Sequence, residues 1–113
     1  MRTKLLFICS ANRMRSPTAE SLFRGSQQYE ARSAGTSEYA RIKLTCGLIG
    51  WADQIFVMEK RHRDLIKRRF AHDLALKPKP LIVLDIPDEY DFMEPALLDI
   101  LQVRLSPFVD LAD

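Results

Sequence analysis

Leu5-Leu6-Phe7-Ile8-Cys9-Ser10-Ala11-Asn12-Arg13-Met14-Arg15-Ser16-Pro17 is the stretch that decides how this chain folds. It opens on a short apolar run closed by turn-forming residues, the signature of a buried strand. Ser16 reads as a helix N-cap and Pro17 as the first helical residue. Between strand and helix, the segment from Cys9 to Arg15 is long enough to curl into a cup. Backbone N–H groups around such a cup can point inward at an anion, and the helix start adds the positive end of its dipole. Cationic surroundings of this kind favour the thiolate, the nucleophilic form of cysteine. The stretch therefore sets a reactive thiol, Cys9, at the bottom of a phosphate-sized pocket.

Outward from this stretch, apolar strands alternate with helices. Strands are predicted over 4–9, 29–34, 54–58 and 81–84. Helices are predicted over 17–26, 41–50 and 60–70, with a last one opened by Pro95 and carrying Leu97, Leu98, Leu101 and Leu105 on one side. Lys77-Pro78-Lys79-Pro80 is a linker that cannot be helical, and Asp85 to Asp91 is an acidic loop. Strands apolar throughout, alternating with helices, imply an α/β fold: a three-layer, four-stranded parallel sheet with helices on both faces. Right-handed crossovers bring the loops after the strands to one edge, where ligands of such sheets bind. Cys9, Asp85 and the segment after Ala34 belong to that edge.

Composition fits this picture. The 113 residues suit a single domain over 1–113, and 47% hydrophobic with 28% charged residues is ordinary for a soluble globular chain. A net charge of +2 does not by itself call for a nucleic acid partner. Two cysteines, Cys9 and Cys46, make no disulfide framework, and a thiol that must stay reactive fits the cytoplasm. The apolar run at the N-terminus is too short for a signal core, and no segment has the length of a membrane span, so no membrane partner is expected. His62 and His72 lack metal-ligand spacing and read as surface residues. Asp88, Glu89, Asp91 and Glu94 lack the pattern of a calcium loop. No metal and no cofactor is expected. Cys46 reads as a small core residue, Trp51 as packing at the start of the third strand, and the basic run from Lys60 to Arg69 as the solvated face of a helix.

The pattern Cys9-x5-Arg15-Ser16 is that of the nucleophile loop of cysteine-based phosphatases, which occurs on several unrelated folds. Its place after the first strand and its continuation as Pro17-Thr18-Ala19-Glu20 resemble the low-molecular-weight protein tyrosine phosphatase family. Ser33-Ala34-Gly35-Thr36 is similar to the family's second-strand loop. Ile55-Phe56-Val57-Met58-Glu59 with Arg63-Asp64-Leu65 is similar to its third strand and following helix, and Leu81 to Asp85 to its last strand. The resemblance implies a short, divergent member that hydrolyses phosphotyrosine or similar aryl phosphate monoesters through a phosphocysteine intermediate. Its partners would be a phosphorylated protein or a small aryl phosphate, with phosphate or sulfate able to occupy the loop.

The resemblance also implies roles. Cys9 is the nucleophile, and Arg15 grips two phosphate oxygens. Backbone groups of Ser10, Ala11, Asn12, Arg13, Met14 and Arg15 bind the rest of the anion. Ser16 donates to the Cys9 thiolate. Asn12 shapes the loop, and Ser33 supports that asparagine. An aspartate must protonate the leaving oxygen and later activate water. The family's Asp-Pro is replaced by Asp85-Ile86-Pro87-Asp88, so Asp85, favoured by its position at the strand end, and Asp88 are both candidates. Tyr39 is the candidate for the aromatic wall of the substrate site. Met14 stands where the family often has a second, protective cysteine, the segment between Gly35 and Trp51 is short, and of the family's paired tyrosines only Tyr90 is present. Two further readings stay open: an arsenate reductase-like enzyme, for which Cys46 would be the only additional thiol, and a non-catalytic phosphate- or phosphoprotein-binding module.

Overall fold

The computed structural model describes residues 1–111; the last two residues of the expected single domain, 112 and 113, lie outside them. In chain order the elements are β1 (Thr3–Cys9), α1 (Arg15–Ser21), β2 (Tyr29–Gly35), α2 (Cys46–Trp51), β3 (Gln54–Val57), α3 (Lys60–Arg69), α4 (Ala71–Leu76), β4 (Leu81–Val83) and α5 (Pro95–Leu105). The strands form one parallel sheet in the order β2-β1-β3-β4. This is the expected three-layer α/β architecture.

β1 is apolar on both sides because both of its sides are covered. Leu5, Phe7 and Cys9 pack with Ala19 of α1, with Phe23 just beyond it and with Leu97, Leu101 and Leu105 of α5. Leu6 and Ile8 pack on the other face with Ile49 of α2, Ile66 of α3 and the partly buried Phe70 and Leu74 beside and within α4. Phe7 is fully buried, its ring centroid 5.6 Å from Phe23 and 5.4 Å from Phe56. Burying one such side chain contributes roughly 1.5–3 kcal/mol. The chain leaves β1 for β2 on one side and reaches β3 on the other. The crevice of the sheet therefore opens above the carboxyl end of β1, at Cys9.

Several local expectations are corrected. α1 begins at Arg15 with Met14 as N-cap, so Ser16 and Pro17 lie inside its first turn rather than opening it. Ser16 is drawn inward because its hydroxyl is engaged with the Cys9 thiol and Asn12. The helix ends at Ser21, and turns carry the chain to Gly25, whose φ of +78° suits only glycine at low cost. α2 is shorter than the predicted 41–50 because Thr45 caps it, its Oγ1 accepting from the Leu48 N–H at 3.2 Å. The preceding residues serve another purpose, described below. Trp51 closes α2, where Arg32 lies 4.4 Å over its ring. Cys46 is exposed, not core. α4 went unpredicted: none of its residues is buried, so it lacks the apolar stripe that marks a helix in sequence. No helix among the described residues is long and apolar enough to cross a membrane.

Candidate active site

The segment after β2 straps the back of the loop that follows β1. Thr36 N–H donates to Cys9 O (3.0 Å), Ser37 N–H to Ser10 O (2.9 Å), Arg41 N–H to Ala11 O (3.0 Å), and Arg41 Nε to Asn12 O (3.0 Å). Across a trans peptide, each carbonyl points opposite to the N–H of the next residue. Drawing four successive carbonyls backward therefore turns the N–H groups of Ser10, Ala11, Asn12 and Arg13 to the front. Asn12 N–H is seen there, 3.2 Å from Cys9 Sγ. Asn12 itself adopts φ +56°, which asparagine tolerates better than most residues. The approach of strap to loop is tight at Gly35. A Cβ there would run into the Ser10 carbonyl oxygen and Ala40 Cβ, so only glycine fits.

The thiol is buried at the base of this cup. Ser16 Oγ lies 3.0 Å from Cys9 Sγ and accepts from Asn12 Nδ2 at 2.8 Å. With Asn12 donating, the serine proton is free to point at sulfur, and a hydrogen-bonded chain runs from Asn12 through Ser16 to Cys9. The Ala34 carbonyl, 3.4 Å from Ser16 Oγ, is a second acceptor for the same hydroxyl. Asn12 Oδ1 is buried without a hydrogen-bond partner, while its other polar atom is committed to Ser16.

Arg15 is buried and held from behind. Its Nη1 donates to Glu59 Oε2 at 2.6 Å and to the Ile86 carbonyl at 2.7 Å. Both protons of that nitrogen are thereby used, which leaves the Nε–Nη2 edge for a bidentate oxyanion. Asp88 reaches the same edge: its Oδ1 is 3.7 Å from Arg15 Nε. Asp85 is exposed on a backbone kink of φ +60° between the buried residues Leu84 and Ile86. The kink turns the chain so that Ile86 both pairs with Met58 and offers its carbonyl to Arg15. Of the two aspartates weighed in the sequence, the structure brings Asp88, not the favoured Asp85, to Arg15.

Glu59 and His62 are parts of the site that the sequence reading did not assign. They form a capping box at the start of α3. Glu59 N–H donates to His62 Nδ1 at 3.1 Å, so the neutral ring carries its proton on Nε2 and donates it to Ser10 Oγ, 2.9 Å away. His62, read as a surface residue, is buried. Burial foremost, then the charges of Arg15 and Arg61, push its pKa down to about 4. The Arg61 hydrogen bond, followed by that of Arg15, holds the Glu59 carboxyl at about 2. The signal was the Glu59-x-x-His62 spacing directly before a helix.

The remaining predicted residues divide. Arg13 and Met14 are exposed at the rim of the loop, and the Met14 carbonyl accepts from Thr18. Ser33 donates to Glu20 rather than to Asn12, so it braces α1 against β2. Tyr39 is 83% exposed on the strap. Among the described residues, no group of His, Cys, Asp and Glu could hold a metal ion.

Residues 4–46 match the family model described as low molecular weight phosphotyrosine protein phosphatase. Similar solved structures include the tyrosine phosphatase Wzb from Escherichia coli K30 in complex with phosphate, 22% identical, covering 96% of each chain with a TM-score of 0.73. YwlE arginine phosphatase from Geobacillus stearothermophilus is 24% identical, covering 92% of this chain and 88% of that one with a TM-score of 0.69. SP-PTP, the low molecular weight protein tyrosine phosphatase from Streptococcus pyogenes, is 17% identical, covering 96% and 94% with a TM-score of 0.69. A search of curated proteins found no match. The chain carries the sequence signature of this phosphatase family over 4–46 and the fold of these solved structures over nearly all its length, as the resemblance implied.

Proposed function

We propose that this chain is a cysteine-dependent phosphatase that hydrolyses phosphotyrosine or similar aryl phosphate monoesters in the cytoplasm. The observation that carries the reading is the loop itself: the Cys9 sulfur accepts from the Asn12 N–H, four successive carbonyls are tied to the strap behind, and Arg15 keeps its Nε–Nη2 edge, beside Asp88, for an oxyanion. In the first step, the Cys9 thiolate attacks phosphorus and the bond to the leaving phenolic oxygen breaks. Protonated Asp88 gives that oxygen its proton. In the second step, Asp88 takes a proton from water, water oxygen bonds to phosphorus, and the sulfur–phosphorus bond breaks. Ser16 stabilises the departing thiolate. Arg15 and the loop amides bind the equatorial oxygens, whose charge and geometry change most between ground and transition state.

Hydrolysis of para-nitrophenyl phosphate tests the reading. Turnover is expected to vanish in Cys9→Ser and to fall by more than about a hundredfold in Arg15→Ala, which loses a donor pair to the transition state. Full activity in Cys9→Ser would overturn the mechanism. Phosphoarginine is the informative second substrate, since one structure of this fold is that of an arginine phosphatase. Its guanidinium would meet the exposed Arg13 and Arg41 at the rim of the loop, so the aryl phosphate is expected to be the better substrate.

A further inference from the structure

A cavity of about 630 Å³ runs from Arg13, on the rim of the nucleophile loop, along α1 to the turn at Gly25. Its loop end is formed by Arg13 and by Arg41, which is tied to the Asn12 carbonyl. Its far end carries Arg24. Pro17, the buried Phe23 and the half-exposed Phe92 line it with apolar surface. Of the two acidic residues of its wall, Glu30 pairs with Arg2 and Arg32, while Glu20 accepts from the neutral Ser33, so the arginines outnumber the carboxylates. Arg13, Arg24 and Arg41 form no ion pair among the described residues. The groove is therefore a strip of net positive charge with apolar footing that ends at Arg13, on the rim of the nucleophile loop.

We propose that this groove docks an acidic segment of a phosphoprotein substrate, flanking the phosphorylated residue. The proposal rests on the phosphatase reading only for the phosphate end. Charge selects the partner, since three unpaired guanidiniums favour carboxylates and repel a basic flank. Length sets the register. Between Arg13 and Arg24 lies the seven-residue α1, about 10 Å long at roughly 1.5 Å per residue, and the residues beyond its two ends bring the span to roughly 16 Å. An extended peptide covers that span in about five residues at roughly 3.3 Å each. A carboxylate about four or five positions from the phosphorylated residue thus reaches Arg24, and one closer in reaches Arg13 or Arg41. The volume falls within the range of about 300–1,000 Å³ typical of binding clefts.

Two phosphotyrosine peptides test this, one with aspartates at positions two to five from the phosphotyrosine and one with asparagines there. The acidic peptide is expected to show about tenfold higher kcat/KM in low salt, the combined effect of a few exposed ion pairs, and to lose that advantage at high salt. Arg24→Glu is expected to reduce the advantage severalfold while para-nitrophenyl phosphate, too short to reach Arg24, is turned over as before. Equal kcat/KM for the two peptides, or an acidic preference untouched by Arg24→Glu, would overturn the proposal. Anisotropy of a labelled, unphosphorylated acidic peptide on Cys9→Ser protein measures docking apart from chemistry. Binding there with no turnover of any aryl phosphate would leave the groove standing and remove the phosphatase reading. Stronger binding of a single-stranded oligonucleotide than of the acidic peptide would overturn the groove assignment.

Discussion

Arg15 Nη1 lies 2.6 Å from Glu59 Oε2, although the two residues are 44 positions apart in the chain. The ion pair joins the nucleophile loop to the start of α3 and fixes the roll of the guanidinium about its long axis. With Nη1 committed to Glu59 and to the Ile86 carbonyl, the Nε–Nη2 edge is the one left for an oxyanion. Glu59→Gln keeps the shape and removes the charge. Losing one partner of a fully buried pair costs about 3–5 kcal/mol; with Glu59 partly exposed and the Ile86 carbonyl still bound, about 2 kcal/mol of stability is expected to be lost. kcat/KM for para-nitrophenyl phosphate should fall roughly tenfold or more, since a misplaced donor weakens the transition state. A variant with unchanged melting and kinetics would show that Arg15 is held by Ile86 alone.

Asp88→Asn and Asp85→Asn separate the two aspartates. Positioned proton transfer contributes roughly a hundredfold or more, so Asp88→Asn should lower kcat by that order on substrates with a poor leaving group. The loss should shrink on substrates whose leaving group needs no proton. Asp85→Asn should leave kcat nearly intact, because asparagine also tolerates the φ of +60° there. The opposite ranking of kcat values would return the acid to Asp85.

Acid should unfold this protein through α3. His62 stays neutral in the fold down to about 4, whereas a free ring takes its proton near 6.5. Between those values the unfolded chain binds more protons, so stability falls as pH drops from 6.5 to 4. The Glu59 carboxylate adds stability above its ordinary 4.5 that is lost as pH falls from there toward 2. Protonation of His62 also removes the acceptor for the Glu59 N–H, which unties the capping box. Urea unfolding from pH 7 to pH 4 should lose on the order of 3 kcal/mol, and His62→Asn should flatten that slope. A slope unchanged in His62→Asn would assign the acid sensitivity elsewhere.

Gly35→Ala should be among the most damaging of small changes. The added methyl meets the Ser10 carbonyl oxygen and Ala40, one of them backbone, so strap and loop must part. Overpacking of this kind costs about 1–3 kcal/mol. Thermal melting should show that loss, and turnover should fall further than stability alone explains because the N–H face is disturbed. Wild-type kinetics in this variant would mean that the strap does not shape the cup.

The nucleophile loop was legible because its parts are contiguous: the strand, Cys9, Asn12, Arg15 and Ser16 all lie within one short segment, and local pattern suffices. The parallel sheet followed from strands apolar on both sides. The Glu59-x-x-His62 spacing marks a helix start, but their place in the site was not legible, because it depends on Arg15 and Ser10, brought beside them from beyond β1 by the pairing of β1 with β3. Ser16 was misread as a cap for a related reason. A serine before a proline is a good N-cap in isolation, but here burial next to a thiol outbids the helix end for its hydroxyl. That Asp88 rather than Asp85 lies beside Arg15 follows a kink at the positive φ of Asp85, for which Asp85-Ile86-Pro87 gives no sequence cue. α4 lacked any buried residue to mark its periodicity.

The strap over residues 36–41 grips the loop with main-chain N–H groups at three of its four bonds. Its side chains at Glu38 and Tyr39 are consequently unconstrained by the chemistry and stand in solvent at the border of the cup. Anion capture is written in the backbone and the outer contour in replaceable side chains. Selectivity can therefore be redrawn, by drift or by design, at positions 38 and 39 without touching the reacting groups. A library confined to those two residues is the natural starting point for changing which phosphate ester the scaffold accepts.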